Sequence, residues 1–225
     1  VRRFRRTGAD TPDTRTLTPP HRRTNVETIA IARAETPSPD SRVKRLRSAT
    51  AAAHDQLDKR IMACQPFADL ERYALFLKIQ YRFHTVVDRL YLDGAFGRML
   101  PDLAGRRRLV LIEQDIRDVN GIIPEEPVES PATIDPEGDL GWLYVAEGSN
   151  LGAAILLKEA RALGLSEAHG ARHLAGHPDG RGLHWRQFAG ALDLIELSAS
   201  GEQRAIDGAS DAFRFVHRLV GDAFA

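Results

Sequence analysis

His54, in "RLRSATAAAHDQLDKRI", is the first residue whose setting points to chemistry. On a helix it shares a stripe with Arg47, Thr50, Asp58 and Ile61, at offsets of −7, −4, +4 and +7. Asp58, one turn on, is placed to accept a hydrogen bond from the imidazole Nδ1 and leave Nε2 to bind a metal. Ala51, Ala52 and Ala53 keep that approach uncrowded. Arg47, two turns back, is placed to meet an acidic group on whatever His54 binds. A helical His taken alone is most often structural or solvent-exposed; these neighbours are what suggest a ligand.

The second constellation is "EGSNLGAAILLKEA", residues 147–160. It lies inside an apolar run, 139–163, that reads as one helix. Gly148, Ser149, Asn150 and Gly152 weaken that helix. Each Gly costs about 1 kcal/mol relative to Ala, and Ser and Asn side chains compete for backbone hydrogen bonds. Gly148 and Gly152 are i and i+4, on one face, with Ser149 a small polar group beside them. Without Cβ, a backbone can approach a flat surface closely. Two explanations stay open: tight packing against another helix, or a helix laid across a ligand and kinked at the glycines.

Other candidates are weaker. His169, His173 and His177 fall at i, i+4 and i+8, and the first two could chelate a metal from one helical face. Gly176 and Pro178 break the helix before His177 aligns, so the plainer reading is a polar helix end. His84, among Phe83, Val86 and Val87, reads as a core-edge residue and His217 as a surface one. The run Arg106–Arg107–Arg108 reads as a solvated helix face. No Ser-His-Asp motif, phosphate loop or dinucleotide fingerprint is visible.

The elements that must position these residues are helices. Ser41 caps one running to about Cys64, and Asp69 caps the next, "LERYALFLKIQYRFHTVVDRLYL". A third is expected over "DLAGRRRLVLIEQDIRDVN", ended by Gly121. Residues 121–138 hold four prolines and read as a loop. After helix 139–163, Ser166 is expected to cap a short helix to about Ala175. Two more are expected near 183–198 and 201–224. No segment alternates with period two, so the expectation is one all-α domain, 41–225.

Residues 1–40, rich in Pro, Thr and Arg, are expected to be a disordered tail, an extension such as an upstream start codon would add. A basic arm for a polyanion, or a targeting segment, is the alternative. Across 225 residues the net charge is zero, with 43% apolar and 28% charged residues, which suits a globular protein and argues for neither nucleic acid nor acidic membrane as partner. Residues 1–45 hold eleven Arg or Lys against five Asp or Glu, so the excess of positive charge sits at that end. Cys64 is the sole cysteine, which excludes an internal disulfide and a cysteine-based metal cluster and fits a reducing cytosol. No apolar run of about 18 residues stands out, so no membrane span is expected.

Together these residues resemble the haem oxygenases, especially the bacterial biliverdin-producing branch. "RLRSATAAAHDQLD" is similar to the proximal helix, with His54 in the iron-ligand position. "LGWLYVAEGSNLGAAIL" is similar to the distal helix, and "GARHLAGHPDGRGLHWRQF" to a segment typical of that branch. The likeness spans 41–225; the first forty residues have no counterpart. Each motif alone is unspecific, but their order, with some ninety residues between His54 and Gly148, is not.

The resemblance implies a single-domain, all-α haem oxygenase-like fold with haem held between the first helix and a kinked distal helix. Haem would be both substrate and prosthetic group, opened at a meso carbon to biliverdin, CO and ferrous iron. Gly148 and Gly152 would let the distal backbone pass close over the ring, with Ser149 helping to order water. Asp58 would tune the His54 imidazole without drawing it far toward imidazolate. Arg47 and Tyr144 would meet the propionates, with Thr50 and Ala51 lining the haem beside them, and this pair implies opening of the α-meso bridge. The segment places no His or Arg next to the glycines, so oxygen would be spent on the ring itself. Electrons would come with O2 from an external reductase or ferredoxin, and biliverdin could pass to an acceptor such as a phytochrome. A cytoplasmic monomer is expected. The competing reading is a haem-binding carrier or sensor of the same fold without turnover.

Overall fold

A computed structural model describes residues 41–125 and 135–225. The expected tail, 1–40, and most of the proline-rich loop lie outside the described residues. The described residues form one compact unit. Its helices are α1 (Arg42–Ala63), α2 (Leu70–Tyr91), α3 (Gly94–Met99), α4 (Leu109–Asp118), α5 (Pro136–Ala162), α6 (Arg181–Leu194) and α7 (Ala199–Ala223). Among the described residues there is no strand, only isolated bridges from Ser166 to His169 and Gly170. The all-α expectation holds.

The caps follow the sequence. The Ser41 hydroxyl accepts from the Lys44 N–H, and the Asp69 carboxylate from the Arg72 N–H. The start of α1 is also bolted to the far end of the chain. The Ser41 hydroxyl donates to Asp193 at 2.8 Å, and buried Arg42 pairs with Glu202 at 2.7 Å. Arg42 also donates to the Leu192 and Ile195 carbonyls, closing the exposed end of α6.

α5 is the axis. By length and composition it is apolar enough to cross a membrane, contrary to the sequence expectation, yet half of it is buried against α2, α6 and α7. Its first turns meet α7 backbone to backbone. A Cβ on Gly141 would lie 2.1 Å from the Ala205 carbonyl oxygen, and one on Gly208 would lie 2.1 Å from that of Gly138. Apolar side chains close around this crossing: Leu46, Val87, Leu143, Phe188 and Val220 belong to one core cluster. A second, with Tyr73, Phe76, Ile112, Ile116 and Leu157, joins α2 and α4 to the later half of α5.

Between α2 and α4, in "DGAFGRM", Asp93 caps the short helix α3. Two local expectations fail. Residues 102–108 are not helical apart from a 3₁₀ turn at Ala104–Arg106. There Arg106 turns inward and is buried, so the arginine run is not a solvated face. Residues 166–175 are likewise not an α-helix. The N–H groups of Gly170, Arg172 and His173 donate to the α4 carboxylates Asp118 and Asp115, leaving only a 3₁₀ turn at Arg172–Leu174. Gly170, at φ +73°, makes that bend possible.

The α5–α7 contact predicts that Gly208→Ala, which forces two backbones apart, loses at least ~3 kcal/mol of stability. Urea unfolding of the variant against the parent chain measures this directly; an unchanged midpoint would show that the helices do not touch here.

Candidate functional site

α7 is the common wall for the two segments singled out in the sequence. It touches α5 at Gly208 and, further along, presents Phe213 to α1. The His54 ring meets Phe213 edge-on, with centroids 5.8 Å apart. His54 itself faces outward, with 58% of its side chain exposed. Its Nδ1 lies 3.1 Å from Asp58 Oδ2, and that hydrogen bond raises the imidazole pKa, against an opposing effect of burial. Nε2 is then the nitrogen left for a ligand. Ala51 and Ala52 on the same helix are exposed, while Thr50 is buried and its hydroxyl donates to the Leu46 carbonyl at 2.8 Å.

Gly141, Gly148 and Gly152 recur at seven and four residues, so they lie along one stripe of α5. The stripe changes character along its length. At Gly141 it is filled by the α7 backbone. At Gly148 a Cβ would meet only Trp185, at an ordinary 3.9 Å, and at Gly152 no described atom lies within 4 Å. Around them Ser149 and Leu151 are exposed, and Ile155 is 60% exposed. Close helix packing therefore explains Gly141 and Gly208 but not Gly148 and Gly152. α5 stays helical through both glycines. The Ser149 hydroxyl donates to the Ala146 carbonyl at 2.7 Å, a bond of the kind that bends helices.

Arg47, Thr50 and Tyr144 are brought together across α1 and α5. Burial raises the pKa of the half-buried Tyr144 phenol, opposed by its hydrogen bond with Thr50 and by the charge of Arg47. Tyr144 also leans on Trp185, with ring centroids 5.9 Å apart.

Behind the open glycines lies a charged interior that the sequence reading missed. Glu147 is buried, yet it accepts from the Tyr91 hydroxyl at 2.8 Å and from Arg106 at 2.9 Å. Arg106 donates onward to the Pro101 and His184 carbonyls, both at 3.1 Å. Burial raises the Glu147 pKa, and the two arginines and Tyr91 oppose it. The available signal is Glu147 itself: a carboxylate inside an apolar helix requires a buried partner. Arg108 has no such pairing. Its Nε is buried without a hydrogen-bond partner. It lines a small cavity of about 10 Å³ against Asn150 and Leu151, with His177, Arg181 and His184. Arg181 donates to the Asn150 carbonyl at 2.9 Å. The chain's neighbours in sequence supply no His or Arg to the glycines, but the fold brings several behind them.

The remaining histidines sit in other surroundings. His173 Nδ1 sits 2.8 Å from buried Asp115, and burial lowers its pKa; it is not on a helix with exposed His169, which lies 3.3 Å from Asp118. His217 lies 3.2 Å from an Arg60 nitrogen. His184 is pushed down to about 4, chiefly by burial and then by Arg106. His84 is wholly inside, not at the core edge.

The Heme oxygenase family profile matches residues 41–222. The chain belongs to the haem oxygenase family. Heme oxygenase PigA of Pseudomonas aeruginosa is 40% identical over 185 residues, covering 82% of this chain and 93% of that protein. The Neisseria meningitidis haem oxygenase, solved with NO and CO bound, aligns with a TM-score of 0.79 at 42% identity, covering 82% of this chain and 92% of that one. Haem oxygenase-1 of Synechocystis, solved in complex with haem, shares the fold at 17% identity and a TM-score of 0.65, covering 81% and 91%.

The residues fit haem. An outward imidazole with one nitrogen paired and small residues beside it supplies an iron ligand with an open approach, and α5 offers a face bare of Cβ at Gly148 and Gly152 with apolar Leu151 and Ile155 exposed on the same helix.

Two predictions follow from this geometry. Because no described atom opposes it and Ala is the better helix former, Gly152→Ala is expected to stabilise the haem-free chain by up to ~1 kcal/mol while weakening haem binding. Thermal melts without haem, paired with haemin titration, check it; destabilisation would make Gly152 a packing residue.

The second concerns pH. Burial pushes His84 down to about 3, with His173 and Arg108 adding to it. Its folded pKa lies below the unfolded value of about 6.5, so the unfolded chain takes the proton first. Its contribution is full above about pH 6.5 and falls as pH drops toward 3, by ~2 kcal/mol at pH 5. Urea midpoints at pH 7 and 5 should differ accordingly, and His84→Gln should flatten the difference.

Proposed function

We propose that this haem oxygenase opens haem at the α-meso carbon, giving biliverdin, CO and ferrous iron, with His54 as the axial ligand. The observation that carries the site assignment is the pairing of an outward, Asp58-anchored imidazole with a helix face that nothing described fills. Bound haem supplies the redox-active iron and the ring that is opened.

The chain's residues bind, orient and exclude. Asp58 holds the Nδ1 proton of His54, which fixes the tautomer and directs Nε2 outward. The Asp58 contact is a single carboxylate partner in solvent, so the imidazole keeps its proton and remains a neutral donor. Arg47 offers a permanent, planar charge to a propionate, and the Tyr144 hydroxyl, coupled to Thr50, offers a second anchor. These two groups, on neighbouring helices, would hold the propionates of a bound haem and so orient it for reaction at one meso carbon. A Cβ at Gly148 would meet only Trp185 and one at Gly152 no described atom, so both positions leave space for a diatomic molecule. With the Ser149 proton committed to Ala146, its oxygen is left to accept from water.

Electrons come from an external reductase or ferredoxin, and the product suits a tetrapyrrole-binding acceptor such as a phytochrome. We assign the chain to the cytoplasm, as a monomer. A non-catalytic haem carrier would need none of the space at Gly152.

Aerobic incubation of the haemin-loaded chain with a reductase tests this reading. Biliverdin IXα and CO are expected, and bound haem that persists unchanged would overturn it. His54→Ala is expected to lose at least 100-fold in turnover and to lose histidine-type ligation in its absorption spectrum; a wild-type rate and spectrum would move the ligand to another residue. Combined Arg47→Ala and Tyr144→Phe should yield mixed biliverdin isomers at a smaller cost in rate.

A further inference from the structure

A second metal-binding constellation lies away from His54. Asp102, His177 and His184 each offer one donor atom, and these atoms all lie within 4.8 Å of one another. His184, on α6, is 8% exposed, and its Nε2 is buried without a hydrogen-bond partner. That nitrogen points toward Asp102, whose carboxylate lies 3.9 Å away. His177 faces His184 with ring centroids 4.1 Å apart and planes 15° from parallel. Buried polar groups normally find partners, so an orphaned imidazole nitrogen beside a second imidazole and a carboxylate needs an explanation.

We propose that Asp102, His177 and His184 form a binding site for one divalent first-row transition-metal ion, distinct from the haem site. His184 is the fixed donor, because Arg106 holds its backbone carbonyl and the ring is packed. Asp102 and His177 are the adjustable donors. Asp102 is exposed on a turn at φ +52°, and His177 sits in the loop before α6, between Gly176 and Gly180. Tetrahedral coordination with bonds of about 2.0–2.2 Å needs donor atoms about 3.3 Å apart. Movements of about 1 Å, with a swing of the His177 ring so that its plane converges on that of His184, meet that need. Water completes the coordination.

Charge selects the class of ion. Arg106, Arg108 and Arg181 stand nearby, and Glu147 is already paired with Arg106, so a hard cation held by charge, such as Mg²⁺ or Ca²⁺, is disfavoured. Two imidazole lone pairs and one carboxylate suit Zn²⁺ or Fe²⁺ instead. His177 Nδ1 accepts from the Asp179 N–H at 3.2 Å and lies 3.7 Å from the Asp179 carboxylate, so ligation through Nε2 requires the ring proton to move to Nδ1, where that carboxylate is near enough to turn in and accept it.

Calorimetric titration of Zn²⁺ into the full chain, with and without haemin, tests the proposal. A one-to-one event is expected in both cases. His177→Gln and Asp102→Asn, both surface changes, are each expected to weaken it at least tenfold while circular dichroism stays unchanged. Zinc held elsewhere, by His54 and Asp58 for example, would ignore both substitutions. Absence of a one-to-one event, or the parent affinity in both variants, would overturn the site.

Discussion

The absence of Cβ atoms along one stripe of α5 is the constraint from which the rest follows. At Gly141, with Gly208 opposite, it lets two helix backbones touch. That contact sets the angle and depth of α7, and α7 in turn carries Phe213 to the His54 ring. Two turns later the same stripe, at Gly148 and Gly152, is bare and unfilled. One sequence device therefore serves two ends: it draws the bundle together at one end and leaves it open at the other.

Keeping α5 in place while one face is empty requires anchorage on the other side. Glu147, the residue before Gly148, provides it through Tyr91 and Arg106. Removing one partner of such a buried pair leaves an uncompensated charge, a penalty of about 3–5 kcal/mol. Arg106 also ties Glu147 to the backbone of His184 and to the Pro101 turn. The glycine segment is weak in helix propensity but is flanked by a charge network that tolerates few alternative positions. Flexibility at the glycines and rigidity one residue earlier are compatible for that reason.

The helices and caps were legible because periodicity and capping are local properties; Ser41 and Asp69 are used as their residue types predict. The two candidate motifs stood out in the sequence because each is local: Asp58 lies one helical turn from His54, and Gly152 one turn from Gly148. Arg106 was not. A run of three arginines looks solvated until a carboxylate 41 positions further along the chain, Glu147, is known to face it, and burial of a charge depends on that distant partner. Residues 166–175 failed for the same reason, because their N–H groups are taken by Asp115 and Asp118 on another helix. The bare face of α5 was suggested by the glycines, but only the position of α7 separates filled from open positions on the stripe.

A crystal structure of the haemin-bound chain tests the central claim most directly. The account predicts iron bound to His54 Nε2, with the α5 backbone at Gly148 and Gly152 in van der Waals contact with the opposite face of the ring. Haem bound through another residue, or side chains of α6 or α7 occupying the space over Gly152, would contradict it.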